Sequence, residues 1–190
     1  MPIFEEQKTI FIHIPKTAGT SITKKFLPNF RGFKHHDFIF YKNLLKDKIS
    51  EYKLFTVVRN PYNRIVSYFN MHMSHAPIIK EKIEAFKPKN IKEAFEIYIN
   101  LTIKEKVIKN SSKQFLTYRS QSSFLVDENN FLNKNIKIIK YENLSNEISD
   151  LSKENMGKYN ISDIILFSEK SRDFIKNYFI DDFLNFGYND

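Results

Sequence analysis

The run Thr9-Ile10-Phe11-Ile12-His13-Ile14 is closed by Pro15 and followed at once by a turn and a helical pattern, which limits the possible folds more than any other stretch. An unbroken series of β-branched and aromatic residues suits a strand buried on both faces, and proline ends it because it has no N–H to give a ladder. The pattern recurs. Leu54-Phe55-Thr56-Val57-Val58 is ended by Arg59-Asn60-Pro61, after which Tyr62 to Met73 reads as a helix with proline near its first turn. A third run, Ile136 to Tyr141, is closed by Glu142-Asn143-Leu144. Helical patterns separate these strands: from about Ser21 to Phe26, and from an Asn90 cap with Glu93 three positions on through Ala94, Phe95 and Tyr98. A last helix carries Phe174, Ile175, Tyr178 and Phe179. The alternation predicts an α/β fold, a mostly parallel central sheet flanked by helices on both sides. Such sheets bind ligands at the carboxyl ends of their strands, and the unusual residues here follow strands directly.

The 190 residues predict a single domain over 1–190, with no internal repeat and no Gly/Ser linker to mark a boundary. There is no cysteine, which excludes a disulfide framework, a thiolate nucleophile and cysteine-based metal sites. The first residues, Met1 to Glu6, lack the basic and then apolar pattern of a signal peptide, and Lys, Asn and Asp interrupt every apolar run. The expectation is a protein without a membrane anchor, cytoplasmic if its source is bacterial. A net charge of +8 suits an anionic partner, although the lysines are spread along the chain and form no nucleic-acid-binding arm.

Between the first strand and its helix stands Pro15-Lys16-Thr17-Ala18-Gly19-Thr20-Ser21. A turn of this kind aims successive backbone N–H groups inward, and the helix N-terminus adds unpaired donors and its dipole. Thr17, Thr20 and Ser21 offer hydroxyls, and Lys16 a full charge, so the expected ligand is a phosphate or sulfate. The loop lacks the Gly-Lys-Ser/Thr of a Walker A sequence, which argues against a nucleotide-dependent kinase or NTPase. The string resembles the 5′-phosphosulfate loop of sulfotransferases that use 3′-phosphoadenosine-5′-phosphosulfate (PAPS). With His13-Ile14 before it, it is similar to the carbohydrate-modifying, membrane-type, family 2-like branch, and the resemblance implies the sulfotransferase fold, a P-loop-type central parallel β-sheet flanked by helices.

Val57-Val58-Arg59-Asn60-Pro61-Tyr62-Asn63-Arg64-Ile65-Val66-Ser67-Tyr68 resembles the 3′-phosphate motif of the same family. The resemblance assigns Arg59, a planar fork suited to phosphate, and Ser67, a hydroxyl one helix away, to the donor nucleotide. Fainter likeness covers Gln121 to Leu125, Lys140 to Leu144 and Asp181 to Tyr188. The implied donor-binding set is Lys16, Thr17, Ala18, Gly19, Thr20, Ser21, Arg59 and Ser67, with Lys16 also catalytic, PAPS as sulfuryl donor and no metal expected. The implied acceptor is a hydroxyl, in this branch a glycan, and no nucleic acid is expected as a partner.

Transfer to a hydroxyl calls for a base, and relatives in this branch carry a histidine between the two motifs. Lys34-His35-His36-Asp37 occupies that place, and counting forward to Leu44 and Leu45 favours His35, while a one-residue slip gives His36; a carboxylate or no side-chain base remains the alternative. His13 reads as a buried core residue, and His72 and His75 as cleft-lining or solvent-facing. Tyr41, Phe69 and Tyr118 are candidates to stack on a sugar. A non-catalytic anion- or nucleic-acid-binding module is the other competing reading, and it leaves both loops and the histidine pair without a role.

Overall fold

The protein is described from a computed structural model, covering residues 2–27, 32, 35–105, 119–148 and 166–189. The chain gathers into two compact units, Met1–Arg59 with Ser120–Met156, and Asn60–Arg119 with Gly157–Asp190.

The first unit is built on a four-stranded sheet in the order β1-β2-β3-β4, namely Ile3–Phe4, Thr9–Ile12, Lys53–Val58 and Ile136–Lys140. β1 pairs antiparallel with β2, and the other pairings are parallel. The sheet is therefore mostly parallel, as the alternation predicts. Its registers align Ile12 with Thr56 and Val58 with Lys140, so the segments after β2 and β3 leave from the same edge. Ile10, Phe11 and Ile12 are all fully buried although successive side chains point to opposite faces, so both faces of β2 are covered. On one face Phe11 stacks on Phe55 at 4.9 Å and packs with Val57, Ile139, Ile22 and Leu144.

Helix α1 (Gly19–Phe26) follows β2, and α2 (Phe38–Leu45) begins after Asp37, whose carboxylate accepts the Phe40 N–H at 3.0 Å. Pairing in β2 stops at Ile12, short of the expected Ile14. His13 and Ile14 continue the apolar run because both stay buried, not because either joins the ladder. β1 carries no sequence signal, since two residues cannot display an alternation.

The second unit is helical. α3 (Pro61–His75) starts with proline at its first turn, and Asn60 Oδ1 accepts the Tyr62 N–H at 2.9 Å. α4 (Pro77–Glu84) was not expected from the sequence; α5 (Ile91–Ile99) was. The Asn90 side chain caps α5 by accepting the Glu93 N–H at 3.0 Å, and the Glu93 carboxylate reaches past the cap to accept the Lys89 N–H at 2.7 Å. The C-terminal helical pattern is split into Glu169–Tyr178 and Ile180–Phe186, because Phe179 leaves helical geometry. Phe69, Phe95 and Phe167 form an edge-to-face stack at the centre of this unit, each such buried ring contributing about 1.5–3 kcal/mol.

Candidate active site

The turn after β2 has an uncommon backbone. Lys16 and Ala18 both have left-handed φ, 69° and 67°, with Thr17 between them outside that region. Neither is glycine, so each costs on the order of 1 kcal/mol, a strain typical of sites where the backbone itself does the binding. Alternation of this kind turns neighbouring N–H groups toward one point. Ala18 caps α1 without a side-chain hydrogen bond, and the Ser21 N–H turns back to Ala18 O at 3.0 Å, so Gly19 and Thr20 carry the helix N–H groups left to an outside acceptor. The Thr17 hydroxyl is committed inward: it donates to Ile14 O at 2.8 Å and the residue is fully buried. Thr17 therefore offers an anion its backbone N–H rather than its hydroxyl. Thr20 is exposed and Ser21 half-buried, so both hydroxyls stand within reach of solvent.

Gly19 is required by a neighbour. A Cβ at this position would fall onto the His13 imidazole, so no side chain fits while that ring is in place. His13 is buried, stacks on Phe11 at 5.2 Å and lies 4.3 Å from the His35 ring. It is a core residue, as expected, but one wedged between the loop and His35.

His35 Nδ1 lies 3.0 Å from His13 O. A carbonyl only accepts, so Nδ1 carries the hydrogen, and Nε2 is left as the proton-accepting nitrogen of the neutral ring. His36 is held differently, face to face with Phe40 at 3.7 Å and edge-on to Tyr41. Burial pulls its pKa below the usual histidine value, with Asp37 acting in the opposite sense. Of the remaining histidines, His72 is buried with Nδ1 2.9 Å from Tyr98 Oη, and His75 is exposed. Tyr41 and Phe69 are essentially fully buried and pack the interior, so neither presents a face for a sugar. Tyr118 lies outside the described residues.

Arg59 follows β3 at the same sheet edge. Its backbone is clamped by Gln121, whose Oε1 accepts the Arg59 N–H at 2.9 Å and whose Nε2 donates to Arg59 O at 2.8 Å. Its guanidinium lies over the Tyr141 ring, 4.4 Å from the centroid. Burial, and then the Arg59 charge, hold the Lys16 pKa below the ordinary lysine value. Among the described residues no ion pair engages either cation. Two like charges are thus brought together beside a cluster of N–H donors, a setting that a bound anion would relieve. Ser67 lies on α3, half-buried, in the second unit. Glu142 is exposed in the single turn Tyr141–Asn143 after β4.

Residues 1–130 match the model of the sulfotransferase family, a span that contains both loops and the histidine pair in order. The chain belongs to the sulfotransferase family. Its chemistry is accordingly that of an enzyme moving a sulfate group from a donor to a hydroxyl acceptor. No curated protein and no solved structure matches the chain. Tyr141 and β4 of this sulfotransferase lie beyond the matched span. Among the described residues no helix is long and apolar enough to cross a membrane.

A cavity of about 970 Å³ in the first unit is lined by Thr9, Lys53, Leu54, Asn135 and Lys137, among others. These residues stand at the amino ends of the strands, opposite the edge that carries Lys16 and Arg59, so the cavity is not part of the site. Sequence reasoning left Gln121 and Tyr141 without roles. Their contacts with Arg59 join residues 62 and 82 positions apart, and nothing local in the sequence announces them.

Proposed function

We propose that this sulfotransferase takes the sulfuryl group from PAPS and places it on a carbohydrate hydroxyl. The observation that carries the reading is the convergence of Lys16 and Arg59, two cations without an ion-pair partner among the described residues, at the edge where the anion-cradling turn begins α1. The nucleotide donor has three anionic groups, and the family motifs divide them between these residues. Lys16, the N–H groups of residues 17–20 and the Ser21 hydroxyl would hold the 5′-phosphosulfate, while Arg59 and Ser67 would hold the 3′-phosphate. The carbohydrate assignment is supported by the likeness of His13-Ile14-Pro15-Lys16-Thr17 to that branch of the family.

In the reaction the acceptor oxygen forms a bond to sulfur as the bond from sulfur to the bridging phosphate oxygen breaks. The electron pair of the broken bond stays on that oxygen, where the Lys16 ammonium stabilises it. The hydroxyl proton passes to His35 Nε2, which the hydrogen bond from Nδ1 to His13 O keeps in the accepting form. The products are a sulfate ester and adenosine 3′,5′-bisphosphate. Positioning and electrostatics supply the catalysis, and no metal is needed in this scheme.

The test is sulfuryl transfer from labelled PAPS to a panel of glycan acceptors, with Lys16→Ala compared to the wild type. Lys16→Ala should lose turnover far more than donor affinity, because its charge is called on as the leaving oxygen develops. Unchanged turnover in that variant would remove Lys16 from the mechanism.

A further inference from the structure

Gln121 is fully buried, yet both polar atoms of its side chain are turned to one residue. The amide accepts the Arg59 N–H at 2.9 Å and donates to Arg59 O at 2.8 Å, reproducing what a neighbouring strand would give just past the end of β3. Both backbone polar groups of Arg59 are therefore satisfied after pairing with β4 has ended at Val58. Its side chain is held separately, with the guanidinium over the Tyr141 ring at 4.4 Å. An aromatic face attracts the cation but takes none of its in-plane donors. The Arg59 Nε is buried and has no hydrogen-bond partner among the described residues, so the fork is fixed in place without being consumed.

We propose that Gln121 and Tyr141 are positioning residues for Arg59, the first fixing its backbone and the second its guanidinium, so that the fork meets the 3′-phosphate of the donor already oriented. The inference rests on the reading of Arg59 as the 3′-phosphate ligand. Preorganisation of this kind adds affinity by removing the ordering cost of a long side chain at the moment of binding. Its effect is confined to ligands that carry the phosphate Arg59 meets.

That confinement supplies the readout. The affinities of wild type, Gln121→Met, Tyr141→Leu and Tyr141→Phe for adenosine 3′,5′-bisphosphate and for AMP are measured by calorimetry, with thermal unfolding recorded for each. Gln121→Met keeps the volume and loses both hydrogen bonds; Tyr141→Phe keeps the ring and Tyr141→Leu removes it. Gln121→Met and Tyr141→Leu should each cut the preference for the bisphosphate by about tenfold, as expected for loss of a well-aimed charge-assisted contact, with AMP affinity little changed. Tyr141→Phe should keep the wild-type preference. If the wild type prefers the bisphosphate and both disruptive variants retain that preference, the positioning role is wrong and the two side chains only support the fold. Should Gln121→Met fail to fold, the Tyr141 pair decides alone. A wild type that binds the two nucleotides equally removes the reading of Arg59, and this inference with it.

Discussion

Replacing Gly19 by alanine places a methyl group onto the Nε2, Cδ2 and Cε1 atoms of the His13 ring. That ring has no easy retreat: it is 3% exposed, stacked on Phe11 on one side and 4.3 Å from the His35 ring on the other. Overpacking of this sort costs about 1–3 kcal/mol when a buried neighbour must shift. The intrinsic effect of the substitution has the opposite sign. Gly19 opens α1 without a left-handed φ, and alanine in place of glycine within a helix is favourable by up to about 1 kcal/mol. The His13 ring therefore decides the outcome, and a double-mutant cycle isolates it. In denaturant unfolding, Gly19→Ala should destabilise the wild type but be neutral or stabilising in a His13→Ala background, giving a coupling of roughly 1–3 kcal/mol. Additive effects would refute the contact and, with it, the role of His13 as a wedge between the loop and His35.

Two further predictions concern protons. Because Lys16 is held below 10.5 by burial and by Arg59, the native protein releases its proton before the unfolded chain does. Between the lowered value and 10.5 the unfolded state binds more protons, so this group makes stability rise with pH in that window. A bound phosphate opposes the shift, so titration with adenosine 3′,5′-bisphosphate in that alkaline window should show proton uptake, read as an enthalpy that depends on the ionisation heat of the buffer; uptake that persists in Lys16→Met would contradict the assignment. Of the two histidines, His35→Ala should lower kcat by about 10²–10⁴, whereas His36→Ala should act mainly on stability through its stack with Phe40. Wild-type kcat in His35→Ala would remove it as the base.

Strong, local signals made most of the sheet legible in the sequence. The second and third apolar runs each matched their strand to within a residue, and Asn90 caps its helix as its place before the apolar pattern suggests. Errors arose where burial and pairing diverge. His13 and Ile14 look like strand because they are buried, but the ladder ends at Ile12 and His13 serves the loop instead. α1 begins at Gly19, earlier than the apolar pattern suggests, because Ala18 takes the left-handed conformation and acts as the cap. The turn after β2 and Arg59 stood out in the sequence because their residue types are unusual after strands. Gln121 and Tyr141 did not, since their meaning lies in contacts that only the tertiary fold makes. Tyr41 and Phe69 show the converse: an aromatic residue near a site pattern is not thereby exposed to a ligand.

The donor assignment is tested most directly by calorimetric titration of the protein with adenosine 3′,5′-bisphosphate, set against AMP and against ATP with magnesium. The account predicts binding that requires the 3′-phosphate, needs no magnesium and is lost or greatly weakened in Arg59→Ala. Binding of ATP with magnesium alone, or a bisphosphate affinity indifferent to Arg59→Ala, would contradict it.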